Sequence, residues 1–411
     1  MEKLPKNRPW LPGGLGRAAF ALILCLVSLG AFGLSSEADT CLACHSDKAV
    51  APVVDLASMD KSVHAAFDCT VCHAGAKDLP HEATSLKADC STCHSDVTAV
   101  YAKSVHGRAQ STGDKAAASC TSCHGQGHAI LPASNPDSTV YHKNLPKTCG
   151  TCHSSGKIAN AANVNVDTAY DLYADSIHGR AAMKSGIAGA ANCADCHGSH
   201  DIQPKTDPLS PINRVNAGDT CGKCHVDVYR DWKGSKHADA YTAGNPKAPV
   251  CIDCHVAHTI TQVNSASSFN TLIDECGTCH ASQLESYRES FHGKVVYLGD
   301  TKVAKCADCH SAHKVLPSTD PLAPTNAANL TQTCQACHPG ANASFAEYQT
   351  HAEYKNPAKS PLLFYIWVFM TLLLVGVFAF FGVHTILWLT HSLRTRKGSK
   401  GTTNKEGHDG R

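Results

Sequence analysis

Eleven copies of Cys-x-x-Cys-His are written into this 411-residue chain, and they take up 22 of its 23 cysteines. The copies are Cys41, Cys44 and His45; Cys69, Cys72 and His73; Cys90, Cys93 and His94; Cys120, Cys123 and His124; Cys149, Cys152 and His153; Cys193, Cys196 and His197; Cys221, Cys224 and His225; Cys251, Cys254 and His255; Cys276, Cys279 and His280; Cys306, Cys309 and His310; and Cys334, Cys337 and His338. Two thiols followed at once by an imidazole are what covalent attachment of a c-type haem requires: the sulfurs bond the porphyrin edge and the histidine binds iron as the proximal ligand. Paired Cys-x-x-Cys spacing also suits zinc or a disulfide framework. Neither would fix a histidine after every second cysteine, so the haem reading is preferred and eleven covalent haems are expected. Cys25 stands apart within an N-terminal apolar run and reads as a membrane-buried thiol.

The sixth coordination position decides what such irons do, because an iron with two protein ligands passes electrons while an open one can bind a substrate. Fifteen histidines lie outside the motifs. His64, His106, His178, His237 and His292, most of them in a Ser-x-His setting, form one group of candidate distal ligands. His81, His128, His200, His258 and His313, each following a second motif, form another. His351 makes eleven, and His142 is one more. A lone histidine of this kind would be read as a surface or capping residue. Methionine cannot serve widely, since only Met59 and Met183 lie between the two apolar ends. Bis-histidine ligation is therefore expected. Twelve residues of helix extend about 18 Å, so His106, His237 and His292 should ligate a haem other than the one whose motif starts their segment. His200, three residues beyond His197, should likewise serve a neighbour.

The elements that must position these ligands are short. The segments from His94 to His106, His225 to His237 and His280 to His292 lack proline and read as helices, with Gly107, Gly179 and Gly293 after the histidine as stops. An aromatic residue precedes the second histidine by five positions, at Tyr101, Tyr173, Trp232 and Tyr287. Leu131 to Pro146, Pro204 to Pro211 and Pro317 to Pro324 read as loops, and strand signals are almost absent. A longer duplication runs from Cys193 through Thr206-Asp207-Pro208-Leu209-Ser210-Pro211 to Cys221. It returns 113 residues later from Cys306 through Thr319-Asp320-Pro321-Leu322-Ala323-Pro324 to Cys334. The expected fold is mostly irregular with short α-helices, a multihaem arrangement of five tandem two-haem modules plus a single last haem, and one C-terminal transmembrane helix.

Aromatic residues make up 6% of the chain, and about 28 residues are available per macrocycle between Cys41 and His351. Porphyrin faces must then supply much of the apolar interior, and the haem-free chain should be unfolded. The formal charge of +1 points to no nucleic-acid partner. Residues 1–38 read as an export signal or uncleaved anchor, with Lys3, Lys6, Arg8 and Arg17 ahead of the apolar run Ala18 to Leu34. Residues 39–355 form the exported eleven-haem domain and 356–392 the transmembrane helix, whose apolar stretch runs from Leu362 to Leu389. Tyr365, Trp367 and Trp388 act as interfacial anchors. Residues 393–411, with Arg394, Arg396, Lys397 and Lys400, are the cytoplasmic tail by the positive-inside bias. The haem domain then faces the periplasm from a bacterial inner membrane. His384 within the span, with His391 on about the same face, hydrogen-bonds a partner helix or else contacts a b-type haem or quinone held by a partner. The first reading is preferred, since one helix cannot enclose a cofactor.

The tandem motifs, with their Ser-x-His-Gly segments and His-x-x-His continuations, resemble the bacterial multihaem c-type cytochromes of respiratory chains over about residues 41 to 351. The final helix resembles the first membrane helix of the formate-dehydrogenase γ-type cytochrome b subunits. That likeness implies electron transfer between the quinone pool and periplasmic acceptors, together with a partner membrane cytochrome b or other quinol-oxidising subunit. Three functions are weighed: an anchored electron conduit in anaerobic respiration, with no catalytic residue; a terminal reductase of nitrogen or sulfur oxyanions; and a subunit of a polymeric cytochrome wire. The absence of any departure among the eleven motifs favours the first over the second, and the C-terminal anchor argues against the third.

Overall fold

A computed structural model of the chain describes residues 36–81, 88–154 and 168–399. The segment before residue 36 that reads as an export signal or anchor, with Cys25, and the tail from residue 400 lie outside them. Among the described residues every regular element is helical or a turn. The helices of the haem segment are short, the longest being the 14 residues Ala266–Cys279. The chain divides into two units, one comprising Met1–Thr92 with His128–Ile130, the other Cys93–Gly127 with Leu131–Arg411.

Side-chain caps explain why the helices are short. In the larger unit the predicted helix following His94 is two helices, Ser95–Ala102 and Val105–Ser111. Ser104 between them takes an extended conformation, and its Oγ accepts the N–H of Gly107 at 3.1 Å. The same break recurs at Ser176, whose Oγ accepts from Gly179 at 3.0 Å, at Ser235 with Ala238, and at Ser290 with Gly293, both at 3.2 Å. An N-cap serine contributes about 1 kcal/mol. Gly107, Gly179 and Gly293 are therefore not stops, because each sits inside the second helix. They are required by close approach: a Cβ there would lie 2.1, 1.9 and 2.0 Å from the carbonyl oxygens of Tyr101, Tyr173 and Tyr287.

Those tyrosines tie each segment to the next motif. The hydroxyl of Tyr173 donates to the Ala191 carbonyl at 2.8 Å and that of Tyr287 to Ala304 at 2.9 Å, and Tyr101 donates to Ala118. Burial pushes Tyr173 and Tyr287 well above the usual phenol range, so both remain donors. Where Trp232 replaces tyrosine, the Arg214 guanidinium takes over, donating to the carbonyl of Ala248 and pairing with Asp253.

The proline-rich loops fold alike. The Asn216 amide donates to the carbonyls of Pro208 and Ser210 at 2.7 and 2.8 Å, and Thr220 Oγ1 donates to Pro211 at 2.7 Å. Asn329 and Thr333 repeat this against Pro321, Ala323 and Pro324. A third copy stands at Asn144 and Thr148, against Pro136, Ser138 and Thr139. Each loop thus closes onto the helix that carries the next motif's first cysteine.

Little of this is a protein core. Among the described residues thirteen apolar side chains are buried and eight of these are alanine. One small cluster, Ile273, Tyr287 and Val296, gathers Leu284, Val303 and Cys306 around it. The last helix, Pro361–Ser399, extends about 58 Å at 1.5 Å per residue and is apolar enough to cross a membrane. It starts at Pro361 rather than 356, because Asn356 closes a turn that accepts the N–H groups of Lys359 and Ser360. Trp367 on this helix meets the Tyr354 ring at 6.0 Å.

Candidate metal centres

One short device presents four of the motifs. In the Cys-Ala-Asp-Cys-His copies the aspartate curls back, Asp195 accepting the Asn192 N–H at 2.7 Å and Asp308 accepting that of Lys305 at 2.8 Å. Asp253 does the same for Val250 at 2.7 Å, and Ser122 for Ser119 at 3.0 Å. The turn this closes sets two sulfurs and an imidazole along one short helix, as over Cys193–His197 and Cys306–His310.

Ten of the eleven motif histidines face a histidine from outside the motifs. In the smaller unit His45 faces His81 and His73 faces His128, both with ring centroids 5.9 Å apart. In the larger unit His124 faces His200 at 5.9 Å, His197 faces His258 at 5.9 Å, His255 faces His313 at 6.2 Å and His310 faces His351 at 6.2 Å. There too His153 faces His106 at 6.2 Å, His225 faces His178 at 6.0 Å, His280 faces His237 at 6.3 Å and His338 faces His292 at 6.1 Å. Of the remaining two, His94 lies close to His124, and His64 stands 6.1 Å from Phe67.

The spacing fits an iron held between two imidazoles. With a metal–nitrogen bond of about 2 Å and about 1.1 Å from that nitrogen to the ring centre, two axial imidazoles have centroids about 6 Å apart. The ten pairs fall between 5.9 and 6.3 Å, although their interplanar angles range from 2° to 50°. Packing alone would let the separation vary over a wider interval. Burial lowers the pKa of His106, His178, His237, His258 and His313, and takes His197 down to about 4. This keeps the imidazoles neutral, the form that binds a metal. Where a second nitrogen is engaged it is Nδ1, in His45 with the Pro52 carbonyl at 2.8 Å and in His351 with Ser286 Oγ at 3.0 Å, which leaves Nε2 for the metal.

The pairing follows a rule. The histidine after the third motif faces that of the fifth, and the same step of two forward recurs from fifth to seventh, seventh to ninth and ninth to eleventh. The histidines after the fourth, sixth, eighth and tenth motifs step two backward, to the second, fourth, sixth and eighth. His81 and His351 depart from it at the two ends, His81 facing the first motif and His351 the tenth.

The sulfurs of neighbouring motifs meet as well. Cys41 lies beside Cys69, Cys149 beside Cys193, Cys221 beside Cys251 and Cys276 beside Cys306. Within each of these couples the attachment edges of two macrocycles would adjoin. Among the described residues all cysteines are unbridged, and no three or more His, Cys, Asp or Glu side chains converge as a metal cage. His142 is turned to Asp195 at 3.3 Å, with both side chains substantially exposed, instead of to another imidazole. His384 and His391 are exposed on the last helix. Sequence reasoning missed the capping serines and the pinning tyrosines, although the repeated Ser-x-His and the tyrosine five residues ahead of it were the signals.

Residues 220–272 match the family model for cytochrome c554 and c-prime, a stretch holding Cys221 to His225, His237, Cys251 to His255 and His258. No curated protein and no solved structure matches the chain. The match and the motifs within it support a multihaem c-type cytochrome with covalently bound haem that works in electron transfer.

Proposed function

We propose that the chain is a membrane-anchored eleven-haem cytochrome that carries electrons between the quinol pool and exported acceptors in anaerobic respiration, through a partner membrane cytochrome b. The observation that carries this reading is the recurrence of facing imidazoles at the spacing of two ligands on one iron. Haem bound at these positions supplies reversible one-electron chemistry. The twenty-two motif cysteines would anchor it, the motif histidines would be proximal ligands, and His64 joins the ten facing histidines as distal ligands. Two imidazoles per iron leave no position for a substrate, which favours a conduit over a reductase of nitrogen or sulfur oxyanions. The adjoining sulfurs of neighbouring motifs and the stepwise pairing favour closely spaced macrocycles. The Pro361–Ser399 helix suits the anchor, with the haem segment in the periplasm and the basic tail in the cytoplasm.

A pyridine haemochrome assay on the purified holoprotein should return eleven haems per chain, and electron paramagnetic resonance should show low-spin iron. A count far below eleven, or a dominant high-spin signal, overturns the reading. Reduction by a menaquinol analogue only when a cytochrome b co-purifies would support the quinol link.

A further inference from the structure

The repeats dock on one another through one recurring backbone hydrogen bond. In the smaller unit the Val63 N–H donates to the Ile130 carbonyl at 2.9 Å. In the larger unit Val105 donates to Ile202 at 2.9 Å, Ile177 to Ile260 at 2.7 Å and Lys236 to Val315 at 2.8 Å. The donor always precedes the Ser-x-His histidine, and the acceptor is a β-branched residue two positions beyond the next module's His-x-x-His histidine. At the last repeat the donor position is Phe291, and no further module follows. His351 takes over the distal place at the tenth motif, but two residues on, the Glu353 carbonyl accepts from Asn356 instead. Among the described residues the Phe291 N–H has no acceptor. Its side chain is 73% exposed; of the four paired donors, Val105 and Ile177 are half-buried, Val63 is 48% exposed and Lys236 is exposed. The face also becomes more apolar: the positions that hold Ser111 and Thr112, Met183 and Lys184, or Thr242 and Ala243 in earlier repeats hold Tyr297 and Leu298, which are 71% and 85% exposed.

We propose that this edge, Phe291 with Tyr297 and Leu298, is a docking site for an extended segment of a separate electron-transfer protein, which offers a β-branched side chain and a backbone carbonyl as Ile202, Ile260 and Val315 do. The site continues the inter-module interface: in each earlier repeat the equivalent N–H is filled by a carbonyl from an irregular segment of the next module. A second copy of this chain is a poorer occupant, because its four such carbonyls, at Ile130, Ile202, Ile260 and Val315, already accept within the chain. The functional meaning rests on the haem reading, since Phe291 adjoins His292, the imidazole facing His338 of the last motif.

The test uses the full-length holoprotein and a synthetic peptide of residues 311–318 carrying His313→Ala, so that it docks without ligating. At saturating peptide, hydrogen exchange at the Phe291 amide should slow at least tenfold, and the double variant Tyr297→Ser, Leu298→Ser and the single variant Phe291→Asp should each weaken binding at least tenfold. No slowing at Phe291 overturns the proposal. Slowing caused by phospholipid vesicles alone assigns the face to the bilayer, and slowing that tracks protein concentration with dimer formation assigns it to a second copy, so each overturns it too. Haem count and spin state measured on the same samples separate the two failures: eleven low-spin haems without peptide binding sink the docking site alone, and a low count sinks the haem reading.

Discussion

At the scale of the residue, the division of labour between histidines rests on what each ring faces. His313 faces His255, so His313→Ala should convert one low-spin iron to high-spin, read by electron paramagnetic resonance, and leave the others unchanged. His142 faces Asp195 in an exposed pair worth at most about 1 kcal/mol, so His142→Ala should leave the spectrum intact. Glycine carries a different constraint. In Gly293→Ala the new Cβ would meet the Tyr287 carbonyl at 2.0 Å, and because that atom is backbone the helix must shift. A loss of about 2–4 kcal/mol is expected, measured by denaturant unfolding of the holoprotein. The motif histidines were legible because the ligand types adjoin in sequence. Which distal histidine faces which motif was not, because that depends on where the chain returns 36 to 76 residues later.

At the scale of the element, the short helices were legible from composition, yet their interruption was not. A serine inside a helix-compatible stretch reads as tolerated, and only its extended conformation shows that Ser104, Ser176 and Ser290 begin a new helix. The proline-rich loops were legible as loops and partly as repeats. The copy at Asn144 escaped because Asp137 stands where Leu209 and Leu322 make the other two recognisable, while the asparagine that closes all three is one residue among many. That asparagine is testable. Asn329→Ala removes two hydrogen bonds, to Pro321 and Ala323, and should cost about 1–3 kcal/mol, seen as a lowered midpoint of thermal unfolding.

At the scale of the whole molecule, the step-of-two rule makes each module incomplete alone. Removing residues 194–306 deletes one 113-residue offset with four motifs and rejoins matching positions. The remaining motifs recover distal partners, since His313 stands where His200 stood and His178 where His292 stood. That deletion should yield seven haems per chain, all low-spin, by haemochrome assay and electron paramagnetic resonance. A deletion that removes a single motif breaks the register and should leave high-spin iron. The sparse interior has its own consequence: with eight of thirteen buried apolar side chains being alanine, chain produced without haem attachment should lose the helical circular dichroism of the motif-bearing segment and keep only that of the Pro361–Ser399 helix.

The two directions of the rule also order maturation in time. An odd-numbered site in the larger unit meets an imidazole already synthesised, as His153 does with His106. An even-numbered site faces an imidazole synthesised later, as His124 faces His200 and His310 faces His351. On the export proposed above, the nascent chain would carry an even-numbered centre with one ligand missing at each stage, the last closed by His351, ahead of the Pro361–Ser399 helix.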